Sequence, residues 1–174
     1  MTVTRLIKPT SELQSSHASF VAEFLERGEQ LVPWVLEEVG DSFDNYVAWL
    51  DSSSRGRNLP ESFVPNSTFW LVDDEDEIVA VSNLRHELTE NLVRFGGHIG
   101  FGVRPSMRRR GYGVEVLRQT LAEARALGIG DIRVTCDREN LGSARVIVRN
   151  GGQIDDEEYM EEHAHVVQRY WIRL

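Results

Sequence analysis

The chain has a single cysteine, Cys136, in 174 residues, so no internal disulfide can form. That suits a reducing cytosol, where thiols stay free. There is no long apolar run: nothing in the sequence reaches the length needed to cross a bilayer, and the N-terminal MTVTRLIKPT carries no apolar signal core. Positive charge is also short, with 19 Lys and Arg against 28 Asp and Glu, a formal net charge of −9. A general nucleic-acid surface is therefore not expected. Zinc-type Cys/His spacing is missing, and His163 and His165, two apart, are no substitute, so no metal site is expected. These absences, with an ordinary apolar content of 41%, predict one cytoplasmic domain over residues 1–174, with no membrane partner.

What positive charge there is gathers in one place. HIGFGV, His98 to Val103, alternates Ile99, Phe101 and Val103 on one face, which predicts a strand that Pro105 then stops. Arg108, Arg109 and Arg110 follow, then Gly111-Tyr112-Gly113, then Val114, Leu117, Leu121 and Ala124 at helical spacing, with Gly128 at the expected C-cap. The order is strand, basic glycine turn, amphipathic helix. The first amides of a helix lack partners and carry partial positive charge, so an anion is held there without side chains. Glycine lets the backbone approach a phosphate, and arginine adds forked donors. The segment reads as a pyrophosphate cradle; its bland alternative is a tight turn with a solvated basic patch. It is not a Walker loop, since no Gly-Lys-Ser/Thr follows, and not a dinucleotide fingerprint, which would need glycine at Val116.

The stretch resembles motif A of the GNAT superfamily of N-acetyltransferases, Arg/Gln-x-x-Gly-x-Gly/Ala, here Arg108-Arg109-Arg110-Gly111-Tyr112-Gly113 after the lead-in Val103-Arg104-Pro105. Asn140-x-x-Ser143 followed by Gly151 resembles motif B, with Gly152 where an aromatic usually stands. The likeness covers roughly residues 68 to 174, and phrases such as GGHIGFGVRP and QRYWI are similar to a branch of acetyltransferases without an assigned substrate.

The resemblance implies an α+β fold: a central mixed, mostly antiparallel sheet of six to seven strands, splayed between the fourth and fifth and flanked by helices. It implies acetyl-CoA as co-substrate and a primary amine of a small molecule or peptide as acceptor. By carry-over, Phe101, Gly102 and Val103 hold the pantetheine arm and steady the thioester oxygen. Arg108, Arg109, Arg110, Gly111, Tyr112, Gly113 and Val114 hold the pyrophosphate. Asn140 bonds the arm and Ser143 lies near the phosphates, although Asn140 also fits a plain helix cap.

Catalytic groups are harder to place. Many family members carry a glutamate early in the strand that ends here at Val103; this chain has Gly96, Gly97 and His98. His98, with an unperturbed pKa near neutrality, is the nearest base, and its alternative is a polar strand-end residue. His86 and Glu87 come next. The family's tyrosine seven residues after the motif B asparagine is Ile147, so the proton donor is missing or comes from Tyr159 or Tyr170 in the last strands. That departure supports a second reading, a CoA-binding sensor or interaction module with little catalysis. Cys136 reads as a core residue. The six carboxylates of Asp155 to His163 read as a solvated turn, or as an attractor for a cationic amine. Further expectations are a strand at Val3 to Lys8, a helix from Thr10 or Ser11 to Arg27, two short helical patterns around Gly40, a loop over 51–67, a hairpin from Thr68 to Leu84, and strands at Asp131 to Cys136, 153–161 and 164–173. The aromatic insert, Leu31 to Leu50, reads as core packing or as a lid over an acceptor pocket. The exposed final strand is also able to pair across a homodimer.

Overall fold

The computed structural model describes residues 3–162 and 164–174, so His163 lies outside the described residues. Four antiparallel strands form one sheet in the order β1 (Arg5–Ile7), β2 (Asn66–Val72), β3 (Ile78–Arg85) and β4 (Ile99–Val103). A second sheet has the order β5 (Asp131–Asp137), β7 (His165–Arg173), β6 (Gln153–Met160). The helices are α1 (Gln14–Glu26), α2 (Phe43–Ser54), α3 (Glu90–Arg94), α4 (Tyr112–Ala126) and α5 (Leu141–Arg149). Among the described residues there are seven strands, where six to seven were expected, and β4 and β5 share no ladder.

Local chemistry sets the boundaries. Ser42 Oγ accepts from Asn45 N–H at the start of α2, and Thr89 Oγ1 accepts from Leu92 N–H at the start of α3. α2 runs on to Ser54, so the first four residues of the expected 51–67 loop are helical, and α3 lies in the connection between β3 and β4. Serine's turn preference yields there to the burial of Leu50 and Ser53.

α4 packs against the first sheet. Leu117, Leu121 and Ala124 join Leu84 and Ile99 in one core, and Val116 meets Leu71 and Ala80 in another. Thr120 also faces inward: its hydroxyl bonds the Val116 carbonyl and the Ser82 hydroxyl, both at 2.7 Å. On the other face, α1, α2 and the aromatic insert bury Phe20, Phe24, Tyr46 and Leu50 against Trp70 and Val81, so the insert is mostly core.

Arg104, 5% exposed, bolts the end of β4 to α1 and β3. It donates to Ile78 O at 2.8 Å, Ser19 Oγ at 3.0 Å, and Glu23, Glu77 and Ser16 O at 3.2 Å each. Removing it leaves buried carbonyls and two carboxylates without their partner. Arg104→Met is expected to lose about 3 kcal/mol of stability in urea titrations, against a negligible loss for the exposed Arg109→Met. Equal midpoints for the two variants would contradict this role.

Two expectations are corrected in the last sheet. β7 lies between β5 and β6, so the final strand has no free edge to offer a second copy. The acidic stretch is mostly the edge strand β6, and its carboxylates are paired: Asp155 with Arg133, Asp156 with Arg133 and Arg169, Glu157 with Arg138, Glu158 with Arg94 and Arg169. Arg133 and Arg169 are buried on the face of β5 and β7 opposite Ile132, Val134, Tyr170 and Ile172, and their charge draws the acidic residues into a strand rather than a solvated turn.

Candidate functional site

β4 ends at Val103, Pro105 opens a single 3₁₀ turn, and the chain then reverses into α4. The reversal uses Arg109 at φ 63° and Gly111 at φ 92°, the latter as N-cap without any side-chain cap. Among the described residues, the amides of Arg109 to Val114 make no hydrogen bond; Glu115 N–H is the first to find one, to Gly111 O at 3.1 Å. Six consecutive donors are thus uncommitted, beside the exposed Arg109 and Arg110 and at the positive end of a 15-residue helix. Arg110 Nη1 donates to Met107 Sδ at 3.4 Å.

Arg108 is placed differently from the other two arginines. Its guanidinium grips Glu29 through both nitrogens, one contact at 3.0 Å, and lies 5.4 Å from the centre of the Phe24 ring. Its side chain points back toward the end of α1.

The strand before this turn has one edge engaged. Arg85 N–H donates to His98 O and Arg104 N–H donates to Val79 O, so the even-numbered residues of β4 face β3. The amides of Ile99, Phe101 and Val103 therefore face the β5 side. β4 and β5 touch where β4 begins: His98 N–H donates to Arg133 O at 2.7 Å. Beyond that point the strands form separate sheets, which leaves the Phe101–Val103 edge beside the cradle. Gly102 must be glycine for a packing reason, since a Cβ there would lie 2.1 Å from Val32 O. Residues Val32 and Pro33 lie across this face of the strand.

On the far side of the opening, Asn140 caps α5, its Oδ1 accepting from Ser143 N–H at 3.0 Å. Asn140 is exposed and Ser143 half-buried. Ile147 is fully buried in the core, and a Cβ on Gly152 would lie 2.4 Å from its Cγ2. That Cβ would also lie 2.8 Å from the Ile147 carbonyl oxygen, so side chain and backbone at 147 together leave no room for a side chain at 152.

The sequence model of the family described as "Acetyltransferase (GNAT) domain" matches residues 11–153. The chain belongs to the GNAT acetyltransferase family. Its class is accordingly acyltransferase. An acetyltransferase from Salmonella typhimurium, described as modifying the N-terminal serine of ribosomal protein L7/L12, superposes with TM-score 0.71 at 15% identity, over 100% of this chain and 96% of that one. A ribosomal L7/L12 α-N-protein acetyltransferase in complex with coenzyme A gives 0.68 at 16%, over 100% and 96%. A variant of the spermidine N-acetyltransferase of Vibrio cholerae gives 0.61 at 13%, over 98% and 94%. At these identities the likeness concerns the fold. No curated protein matches the chain in sequence.

Within this GNAT domain, the titratable residues singled out from the sequence do not converge. His98 is 7% exposed, and its Nδ1 accepts from Arg133 N–H at 2.9 Å. That bond fixes the proton of the neutral ring on Nε2. Burial, then the nearby Arg85 charge, pushes its pKa down to about 4. His98 thereby serves as a clip between β4 and β5, its accepting nitrogen engaged by the Arg133 amide. His86 Nε2 lies 2.9 Å from Ser67 Oγ, and burial lowers its pKa while the charge of Glu87 opposes the shift. Glu87 itself is exposed. Tyr159 is 59% exposed on the edge strand β6, separated from β5 by β7, which removes it from the opening. Tyr170 is buried, its hydroxyl donating to Gln168 Oε1 at 2.8 Å. Cys136 is half-buried, its thiol pushed up to about 11 by burial and by Asp137, which makes it inert.

The GNAT domain also holds buried arginines that periodicity did not reveal. Arg85, Arg133 and Arg169 donate to the carbonyls of Gly96 and Gly97, of Val93, and of Arg94, closing the C-terminal end of α3 beneath the β4–β5 opening. The available signal was an arginine inside each otherwise apolar strand pattern, IRV and QRYWI. Among the described residues no cluster of His, Cys, Asp or Glu is arranged to hold a metal, and no helix is long and apolar enough to cross a membrane.

Proposed function

We propose that this single domain is an acetyl-CoA-dependent N-acetyltransferase acting on a primary amine of a small molecule or a peptide. The observation that carries the reading is the run of uncommitted amides from Arg109 to Val114, continuous with the free edge of β4. Acetyl-CoA supplies an activated acyl group and a thiolate leaving group. The cradle amides with Arg109 and Arg110 hold its diphosphate; Asn140, whose Oδ1 is used in capping, has its amide N–H₂ to offer the arm. An N–H of the Phe101–Val103 edge steadies the carbonyl oxygen as charge develops.

The acceptor must lose a proton before attack, since an amine with pKa ~10 is mostly charged at neutral pH. In this reading His86 takes that proton. Its lowered pKa leaves it neutral, and the adjacent Glu87 stabilises the imidazolium once formed. Solvent protonates the thiolate, which leaves readily because a thiol has a pKa of about 8.5. The lone free thiol suits the cytoplasm.

A thiol-release screen with acetyl-CoA over amines, amino acids, aminoglycosides and peptide N-termini tests the reading. Turnover with any member is the expected result. The buried Ile147 in place of an acid favours the second reading, a coenzyme-binding sensor. Tight acetyl-CoA binding without turnover across the whole screen would establish that reading instead.

A further inference from the structure

We propose that Arg85 receives a carboxylate on the acceptor, which makes the substrate an amino acid rather than a plain amine. The molecule's role as acceptor rests on the acetyl-transfer reading; its binding at Arg85 does not. The three buried arginines all meet carboxylates: Arg104 meets Glu23 and Glu77, Arg133 meets Asp155 and Asp156, and Arg169 meets Asp156 and Glu158. Arg85, partly buried at the end of β3, is fastened to carbonyls instead, its Nη1 donating to Gly97 O at 3.0 Å and Gly96 O at 3.2 Å. Among the described residues no carboxylate pairs with it, and burial pushes its pKa down to about 10.

The unused part of this guanidinium has a definite shape. Nε and Nη2 make no hydrogen bond among the described residues, and neither is an occluded atom, so both are open to an incoming group. They are the two nitrogens of the side edge, whose parallel N–H bonds fit both oxygens of one carboxylate. Arg118 shows the match within this chain: its Nε and Nη2 donate to the two Glu115 oxygens at 2.9 and 2.6 Å. Arg85 presents the same edge with nothing on it. A guanidinium drawn out of water without a counter-ion costs free energy that an arriving carboxylate recovers.

The edge also stands at the right place. Arg85 N–H donates to His98 O, and Gly97, whose carbonyl Arg85 holds, is wedged against β5, a Cβ there lying 2.4 Å from Arg133 O. The guanidinium therefore sits at the closed end of the β4–β5 opening. Alternate residues of a strand share a face, so Arg85 lies with Asn83 and, across the ladder, with Asn66, Thr68 and Gly100, on the side of the sheet away from α4. This end of that face is polar: Asn83 Nδ2 donates to Asn66 Oδ1 at 2.7 Å and to Thr68 Oγ1 at 3.1 Å. Gly100 puts no side chain over it, and only Pro33 Cβ, at 3.6 Å, would meet one. A small molecule with its carboxylate on Arg85 lies beside Gly100, and its amine end runs along β4 toward Phe101, where the thioester is read to lie.

Calorimetry on the full chain in saturating CoA, where nothing turns over, tests this with alanine, 4-aminobutyrate and 6-aminohexanoate, each against its own primary amide. The amides keep the amine and the length and lose the negative charge. The best of the three acids is expected to bind about tenfold tighter than its amide, the worth of one charge-assisted pair. Arg85→Gln should erase that preference, and Arg85→Lys, which keeps the charge without the fork, should retain about threefold. A role confined to fastening the carbonyls of Gly96 and Gly97 would weaken acid and amide together and leave their ratio unchanged. In the wild-type chain, an arm that needs no variant to fold, butyrate should displace the bound acid and butanamide should not. Equal affinity for acid and amide, no binding of any acid, or an unchanged ratio in a folded Arg85→Gln overturns the proposal. An acid preference that persists where CoA itself fails to bind refutes the diphosphate reading and leaves the Arg85 site standing.

Discussion

Gly111→Glu is expected to abolish acetyl-CoA binding, with a loss of at least a hundredfold by calorimetry, in a chain that still folds. Gly111 sits at φ 92° at the head of α4, and the amides on either side of it make no hydrogen bond among the described residues. A carboxylate there occupies the space in front of those donors. It also repels each facing phosphate charge by about 3 kcal/mol at an effective dielectric near 20. The backbone strain is separable: a non-glycine residue in the left-handed region costs about 1–2 kcal/mol, and Arg109 already tolerates φ 63° in the same turn. Gly111→Ala therefore reports strain alone and should keep most of the affinity. If Gly111→Glu and Gly111→Ala bind alike, the diphosphate lies elsewhere.

Acidification between pH 6.5 and 4 is expected to remove about 5 kcal/mol of stability, on the order of the whole folding free energy of a marginal domain. His17 and His98 are both buried, and burial holds each at about 4 instead of 6.5. The sign follows from proton counting. Above pH 6.5 both rings are neutral whether the chain is folded or not, so stability is intact. Below 6.5 the unfolded chain takes up protons that the folded chain refuses until about pH 4. Unfolding is then favoured by about 3 kcal/mol from His17 and, with partial solvent screening, about 2 from His98. His86, also lowered, adds in the same direction. The carboxylates held below their usual range by arginines, Glu29, Asp155 and Glu158, act in a lower window, below about pH 4.5. Urea titrations at intervals of pH should show the slope, and His98→Gln should flatten it. A stability that stays level from pH 6.5 to 4.5 would rule the account out.

Where the sequence was read well, the reason is local. The strand–turn–helix order around Arg108 to Val114 depends on Pro105 stopping a ladder, glycines opening a turn and apolar residues recurring at helical spacing. Each cause lies within a few residues of its effect. The hairpin at Thr68 to Leu84 follows the same rule. Charged side chains were read poorly, because their partners are distant in sequence. Arg108 stands in the motif beside Arg109 and Arg110, yet it answers to Glu29, 79 residues away. His98 has a near-neutral intrinsic pKa, but a bond from Arg133, 35 residues on, decides which nitrogen is free. Six carboxylates within eight residues suggest a solvated turn until Arg133 and Arg169 pair with Asp155, Asp156 and Glu158.

The sequence by itself determined that this chain makes a GNAT-type strand, turn and helix with donors at the helix head, since backbone geometry and hydrophobic period are properties of short segments. Only the tertiary structure decided which charges are spent on holding the fold, which histidines are kept neutral, and that Ile147 and Gly152 share one space. Those outcomes depend on desolvation and on contacts across the sheet, and neither exists until the strands have come together.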